Sequence, residues 1–191
     1  MDEKKAYSDA DLIELAKTNP ESFGILMQRY QGPLFHYIRR IGQLSKEDTE
    51  DLLQRVFIKI YQKLNEYNEV LKFSSWAYCI AHNQVIDYFR KINVRPRTNA
   101  LEDYEWEKMI KASVNIEKDV MDKDCAERIR KCIQELPLIY REILILRFIE
   151  EKDYDEIMDI LKKPKGTVAT LIRRGKEQLV KKMKEQNINC F

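Results

Sequence analysis

Glycine and proline are scarce in this chain of 191 residues, with five of each. Sandwiches and barrels need many tight turns, which depend on those two residue types, so their scarcity argues against an all-β fold. The N-terminal residues contain no apolar run of the signal-peptide kind, and no run reaches the roughly 18–20 apolar residues of a membrane-spanning helix. We therefore expect a cytoplasmic protein.

Patterns that indicate a metal centre or a catalytic site are also missing. The four cysteines lie too far apart for the usual zinc spacings and are expected to be reduced thiols. No phosphate-binding loop and no catalytic combination of His, Cys and Asp is present. We expect no enzymatic activity, no cofactor, no metal and no small-molecule substrate.

What is present is a helical pattern, with 44% apolar and 35% charged residues. Apolar residues recur at steps of three and four, as in Leu52, Val56 and Ile60, and no alternating strand pattern competes. The pattern stops between about Asn93 and Val120, where acidic residues predominate. We predict an all-α fold with two small helical domains, residues 8–93 and 123–186, joined by a flexible linker over residues 94–122.

Caps and breakers set the expected helix boundaries. Ser8 and Ser45 each precede an acidic residue by three positions, which is the spacing of a capping box, and Ser74 is a plausible N-cap. Pro33 lies inside an apolar pattern that ends at Gly42. We expect it to kink that helix or to divide it in two.

The strongest functional signal lies in residues 153–176. Nine basic residues between Lys162 and Glu185 stand against two acidic ones, an asymmetry that indicates nucleic-acid binding. A short helix is predicted to end at Leu161, followed by a turn in which Pro164 suits the first position of the next helix. The exposed face of that second helix carries small, hydroxyl and basic side chains: Lys165, Thr167, Ala169, Thr170, Arg173, Arg174 and Lys176.

Such a pair of helices is typical of a helix-turn-helix whose second helix lies in the major groove of DNA. Gly166 leaves room for the backbone to approach a phosphate, which the helix N-terminus also attracts. The residues alone leave an alternative open, namely an ordinary helical hairpin with a solvated basic face.

Two blocks of residues resemble the sigma-70 family of RNA polymerase sigma factors. The segments that resemble its region 4 are Leu136-Pro137, Tyr140-Arg141-Glu142, 144–148, 154–157 and Gly166-Thr167-Val168. The segments that resemble its region 2 are 51–57, 73–83 and 86–91. Because only these two regions are present, the chain resembles the short extracytoplasmic-function (ECF) class.

The resemblance implies which residues contact RNA polymerase core and the −10 promoter element. The polymerase contacts would be Asp51, Gln54, Arg55, Val56 and Phe57, although the family usually has an acidic residue where Arg55 stands. The −10 contacts would be Tyr67, Asn68, Lys72, Phe73, Ser74, Trp76, His82, Asn83, Arg90 and Lys91. Unstacked bases need aromatic surfaces and cations, which this set provides, but Trp76 taken alone is more often a core residue.

The helix-turn-helix over residues 153–176 would read the −35 element. Ala169 and Leu171 replace a lysine and an arginine that are frequent in the family, so we expect fewer phosphate contacts from this helix. The resemblance further implies three partners: polymerase core, promoter DNA and an anti-sigma factor, which is often anchored in the membrane.

Two other functions remain open on the residues alone. One is a stand-alone DNA-binding regulator that uses its N-terminal helices for sensing or dimerisation. The other is an interaction protein, such as a helical antagonist of polymerase. The ordered match to both regions favours the sigma factor over these two.

Overall fold

The computed structural model describes residues 7–91 and 123–188, with side chains from residue 128 onward in the second range. The predicted linker over residues 94–122 lies outside the described residues. Every regular element in the described ranges is helical, which confirms the predicted fold class. The α-helices are α1 (Asp9–Ala16), α2 (Pro20–Gly42), α3 (Lys46–Lys63), α4 (Phe73–Lys91), α5 (Lys123–Gln134), α6 (Leu138–Phe148), α7 (Tyr154–Leu161) and α8 (Lys165–Glu185).

The described residues divide into two compact units, of which α1–α4 form the first and α5, α6 and α8 belong to the second. In the first unit α2, α3 and α4 pack side by side, with α1 against α2. Its core is made of the apolar residues that recur at helical spacing, including Leu34, Ile38, Leu52, Val56 and Ile60, all of which are buried.

Caps begin the helices of the first unit largely as predicted. The Ser8 hydroxyl accepts the Asp11 N–H at 3.2 Å and the Asp11 carboxylate accepts the Ser8 N–H at 3.1 Å, which completes a capping box. The Ser45 hydroxyl accepts the Asp48 N–H at 3.0 Å. The Asp48 carboxylate, however, accepts a hydrogen bond from the Ser45 hydroxyl at 2.9 Å and not from the Ser45 N–H. Only half of the reciprocal arrangement is therefore formed at Ser45.

The structure differs from the sequence prediction at two positions. α2 continues without interruption through Pro33, so of the two effects expected there the division of the helix is wrong. Pro33 is exposed, and water can satisfy the carbonyl that lacks a partner there. α4 begins at Phe73, with the Trp76 N–H donating to the Lys72 carbonyl at 3.1 Å, and Ser74 therefore lies inside the first turn rather than capping it.

The second unit is built on the contact between α6 and α8. The α6 residues Ile143, Leu144 and Ile145 are buried, and a Cβ at Gly175 of α8 would lie 3.2 Å from the Leu144 side chain. Glycine at that position lets the two helices approach closely. The other end of α8 packs on α5 through Cys132, Val180, Met183 and Ile188.

No helix within residues 7–91 or 123–188 is long and apolar enough to cross a membrane. The same described ranges contain no group of three or more His, Cys, Asp and Glu side chains placed to hold a metal ion.

Candidate functional site

The exposed face of α3 carries three of the five residues expected to bind polymerase. Asp51, Gln54 and Arg55 are exposed on adjacent turns of the helix, whereas Val56 and Phe57 are buried, the latter with 6% of its surface exposed. Val56 and Phe57 therefore hold α3 in place and do not present side chains to a partner. Ile58 is 57% exposed and extends the same face, although it was not among the residues predicted to bind polymerase.

Four aromatic rings support the segment that leads into α4. The Phe73 ring centre lies 5.2 Å from that of Tyr30, 5.5 Å from Tyr67 and 5.6 Å from Trp76. Tyr67 and Trp76 are themselves 5.1 Å apart. Phe73 is buried while Tyr67 and Trp76 stay partly exposed, so the cluster is part core and part surface. Trp76 therefore packs partly within the cluster, and its contact with bases stays a prediction.

Hydrogen bonds define the turn between Tyr67 and Phe73. The Asn68 side chain accepts the Val70 N–H at 3.0 Å, and the Tyr67 hydroxyl donates to the Leu71 carbonyl. The Asn68 and Lys72 side chains are exposed, and Val70 at the tip has 87% of its surface in solvent. The turn thus exposes a polar, a cationic and an apolar side chain to solvent, beside the aromatic cluster.

A recess of about 410 Å³ lies between α1 and this turn. Its volume falls within the range of about 300–1,000 Å³ that is usual for small-ligand sites. The residues that line it are Asp9, Ala10, Ile13, Tyr67, Glu69, Leu71, Lys72, Phe73 and Ser74. Sequence reasoning predicted the α1 helix but not its place beside the 67–74 segment.

Asp9 connects α1 to the aromatic cluster. Its carboxylate accepts hydrogen bonds from the Arg29 guanidinium and from the Tyr30 hydroxyl. Arg29 also donates to the Tyr7 carbonyl at 2.8 Å. Burial, together with the hydrogen bond and charge of Asp9, raises the pKa of Tyr30, so its hydroxyl remains a donor.

The remaining −10 candidates lie along α4. Ser74 and His82 are half-buried, while Asn83, Arg90 and Lys91 are exposed. The Asn83 amide donates to the Cys79 sulfur at 3.7 Å, and Arg90 pairs with Asp87 at 3.2 Å on the same helix. Arg90 and Lys91 both lie in the last turn of α4, where cations are favoured by the helix dipole.

A short turn joins α7 to α8 and forms the predicted helix-turn-helix. Asp153 and Glu156 make a capping box at the start of α7, and Lys162 ends that helix in the left-handed region with φ 52°. The Pro164 carbonyl accepts the Val168 N–H at 3.0 Å, so Pro164 is the N-cap of α8. The prediction that it occupies the first helical position is wrong by one residue.

The first turns of α8 present the surface expected to read DNA. Lys165, Gly166, Thr167 and Ala169 are exposed, and a Cβ added at Gly166 would meet no atom within 4 Å. The Thr170 hydroxyl donates to the Gly166 carbonyl at 2.8 Å. Four side-chain positions on this face are therefore open to a ligand at the beginning of the helix.

Leu171 does not belong to that surface, because only 8% of its area is exposed. The expectation that it replaces a DNA-facing cation is therefore wrong, and the cation deficit of this helix rests on Ala169. Leu171 instead lies on the buried face of α8, together with Val168 and Ile172.

Further along α8 the cations contact the protein itself. Arg173 pairs with the buried Glu177 at 3.4 Å, and the Lys176 nitrogen lies 5.2 Å from the ring centre of Phe148 in α6. Arg174, which lies between Arg173 and Lys176 in the sequence, is half-buried. The predicted DNA face thus changes along the helix from exposed side chains to cations that also brace the fold.

Glu142 is a buried acid beneath the helix-turn-helix, with 5% of its surface exposed. Burial raises its pKa to about 8, against the opposing charges of Lys163 and Arg141. Lys163 belongs to the turn between α7 and α8, so the pKa of Glu142 depends in part on the charge in that turn.

Comparison with known families agrees with this arrangement. The model of sigma-70 region 2 matches residues 26–95, and the model of sigma-70 region 4 matches residues 126–179. The chain therefore belongs to the sigma-70 family, whose members give RNA polymerase its promoter specificity.

Within that family the similar proteins are ECF sigma factors, which confirms the resemblance seen in the sequence. The chain is 30% identical to the ECF RNA polymerase sigma factor SigW of Bacillus subtilis (strain 168), over 90% of this chain and 94% of that protein. It is 28% identical to the ECF RNA polymerase sigma-E factor of Escherichia coli (strain K12), over 92% and 94% of the two chains.

Two solved structures share the fold. CnrH, in complex with the cytosolic domain of CnrY, superposes with a TM-score of 0.65 at 19% identity, over 91% of this chain and 96% of that one. The sigma factor RpoE from Bartonella quintana, in complex with the anti-sigma factor NepR, superposes with a TM-score of 0.61 at 17% identity, over 86% and 98%.

Proposed function

We propose that this sigma factor binds RNA polymerase core through the exposed face of α3, contacts the −10 element through residues 67–91 and reads the −35 element with the start of α8. The observation that carries the proposal is that each unit has its own surface suited to nucleic acid. In the first unit it is an aromatic cluster beside Lys72, and in the second it is the exposed first turn of α8. We propose domain limits of 8–93 and 123–186 around these surfaces.

Polymerase would meet the exposed stripe of α3. Asp51, Gln54 and Arg55 supply charge and hydrogen-bonding groups, and Ile58 supplies apolar area. A buried apolar contact with polar groups around it is the usual composition of a specific protein interface. The arginine in place of the usual acidic residue alters the charge of this stripe and would be matched by an acidic group on polymerase.

The −10 element would be held as separated strands. Bases that leave the duplex need a flat apolar surface on which to stack, and partly exposed Tyr67 and Trp76 provide two rings. Lys72, Arg90 and Lys91 would neutralise the phosphates that pass along the turn and α4. The recess between α1 and the turn has the size to accept one unstacked base.

The −35 element would be read in the major groove. The first turn of α8 brings Thr167 and Ala169 to base edges, while Lys165 and the backbone at Gly166 approach phosphates. A small set of cations at this end means that the helix does not bind DNA tightly on its own. Polymerase contacts through the first unit would supply the remaining affinity.

An anti-sigma factor is the proposed regulator. The two similar structures hold a sigma factor with the cytosolic domain of CnrY or with the anti-sigma factor NepR. A partner that covers α3 or the start of α8 would block polymerase or DNA directly. The chain would act in the cytoplasm as a non-catalytic subunit, without a cofactor of its own.

Reconstituted transcription tests the proposal. Purified polymerase core would be combined with the full chain on a library of promoter fragments, and the start sites sequenced. Initiation from a defined set of promoters is expected, and it should decrease when Gln54 is replaced by alanine. Absence of initiation, combined with tight binding of the chain alone to an operator, would instead identify a stand-alone regulator.

A further inference from the structure

We propose that α1 takes part in −10 recognition, with Asp9 as a positioning residue that sets the shape of the recess beside the 67–74 turn. This inference rests on the proposed function, because it assigns a new role within the same surface. Neither the helix nor this residue belongs to the −10 segments identified from the sequence.

A continuous series of contacts connects Asp9 to the aromatic cluster. The Asp9 carboxylate holds the Tyr30 hydroxyl, and the Tyr30 ring meets the Phe73 ring edge-on with centres 5.2 Å apart. Phe73 in turn contacts Tyr67 and Trp76, the two rings proposed to stack on bases. A change at Asp9 is therefore expected to alter the positions of Tyr67 and Trp76, because Tyr30 and Phe73 connect them to Asp9.

Asp9 itself also lines the recess. It lies in the first turn of α1, and Ala10 and Ile13 of the same helix face the turn residues Leu71, Lys72 and Phe73 across the opening. Because α1 forms one wall of the recess, the recess depends on the docking of α1 on α2. The Asp9 carboxylate contributes to that docking by binding the Arg29 guanidinium and the Tyr30 hydroxyl of α2.

A carboxylate is well suited to the position of Asp9. An ionised carboxylate has about four lone-pair sites, so it can receive both donors from α2 and still accept a third hydrogen bond. Arg29 and Tyr30 fix its orientation from one side, and Asp9 is one-third exposed on the other. Preorganised groups of this kind avoid the cost of ordering when a ligand binds.

Fluorescence of Trp76 tests the positioning role without any ligand. The chain has two tryptophans, Trp76 and Trp106, so a Trp106→Phe background leaves only the indole of the cluster. In that background Asp9→Asn and Tyr30→Phe should each shift Trp76 emission to longer wavelength and increase its quenching by acrylamide. The double variant should add little to either, because both act through one contact.

A matched control removes a carboxylate from the first turn of another helix. Glu47→Gln in α3 is such a change, since Glu47 is exposed and does not line the recess. It should leave Trp76 emission unchanged. Unaltered emission in Asp9→Asn as well would overturn the positioning role.

Binding of a single-stranded −10 oligonucleotide by the assembled holoenzyme separates this inference from the proposed function. The unmodified holoenzyme should bind the oligonucleotide more tightly than a version with abasic sites. Asp9→Asn should reduce the affinity for the intact strand about fivefold and have little effect on the abasic one. Its affinity for polymerase core should equal that of the unmodified chain.

The two failures look different. If the unmodified holoenzyme does not distinguish intact from abasic strands, the −10 assignment itself is wrong, and the inference fails with it. If it does distinguish them and Asp9→Asn behaves like the unmodified chain on both, only the role of Asp9 is rejected.

Discussion

Lys176 lies over the ring of Phe148, with its nitrogen 5.2 Å from the ring centre. The contact joins α8 to α6 and uses a cation that the sequence places on the DNA-binding face. A cation over an aromatic face is stabilised by about 0.5–1 kcal/mol at exposed sites. Lys176 therefore contributes to the packing of the second unit, whatever it contributes to DNA.

Arg174 and Lys176 should differ when each is replaced by alanine. Arg174→Ala is expected to weaken −35 binding and to lower the slope of log affinity against log salt by about 1, as for loss of one phosphate contact. Lys176→Ala should change that slope less and lower the stability of the fold by about 0.5–1 kcal/mol. Titrations of holoenzyme on −35 DNA at several salt concentrations measure the slope, and thermal melting of each variant measures the stability. Equal slopes for Arg174→Ala and Lys176→Ala would contradict the expected difference between the two residues.

Gln54 and Phe57 should differ in the same way on α3. Gln54 is exposed, so Gln54→Ala should reduce affinity for polymerase core with a stability change within about 0.5 kcal/mol. Phe57 is buried, so Phe57→Ala should lower the stability by roughly 3–5 kcal/mol and affect polymerase binding only through unfolding. Core binding measured well below the melting temperature tests this, and a stable Phe57→Ala chain that fails to bind would show that Phe57 is itself a contact.

Gly166→Ala should stabilise the free chain while weakening DNA binding. The added methyl meets nothing in the protein and removes backbone freedom from the unfolded state, a gain of roughly 0.5 kcal/mol. On DNA the same methyl would stand where a phosphate approaches the helix. Gly175→Ala is the control, because its methyl would press on Leu144 at 3.2 Å and lies away from the first turn, so it should lack the stabilisation and leave −35 affinity unchanged.

Glu142 should make the stability of the chain depend on pH. Its pKa rises from an ordinary value of 4.5 to about 8 in the folded state, so between these values the folded chain keeps a proton that the unfolded chain has lost. Stability therefore decreases as pH rises through that window, and the full penalty is present above about pH 8. Glu142→Gln cannot ionise, so its melting temperature relative to the unmodified chain should rise from pH 5 to about pH 8 and then level off. A difference that stays constant from pH 5 to pH 8 would exclude Glu142 as the source.

Helical periodicity was sufficient to predict the architecture, because the buried stripes of α3 and α8 repeat in sequence at the spacing in which they pack. The cap at Ser8 was equally readable, since both partners lie within four residues of each other. Pro33 does not divide α2, because the hydrogen bond that proline removes lies on an exposed helix face, where water can replace it.

The parts of the site that sequence could not predict depend on contacts between distant residues. Asp9 and Phe73 are far apart in the chain, yet both line the recess and both contact Tyr30, so no local pattern indicates the recess. Lys176 lies on the face of α8 predicted to bind DNA, yet it also contacts the ring of Phe148 in α6, which no pattern within α8 indicates.

The first turn and a half of α8 is nearly independent of the hydrophobic core. From Lys165 to Thr170 only Val168 is buried, and the other five positions tolerate exchange at little cost to stability. Substitutions there can accumulate while the chain continues to fold and to bind polymerase. Because this stretch is the part of α8 proposed to read the −35 element, substitutions in it would change which promoters are recognised without changing the fold.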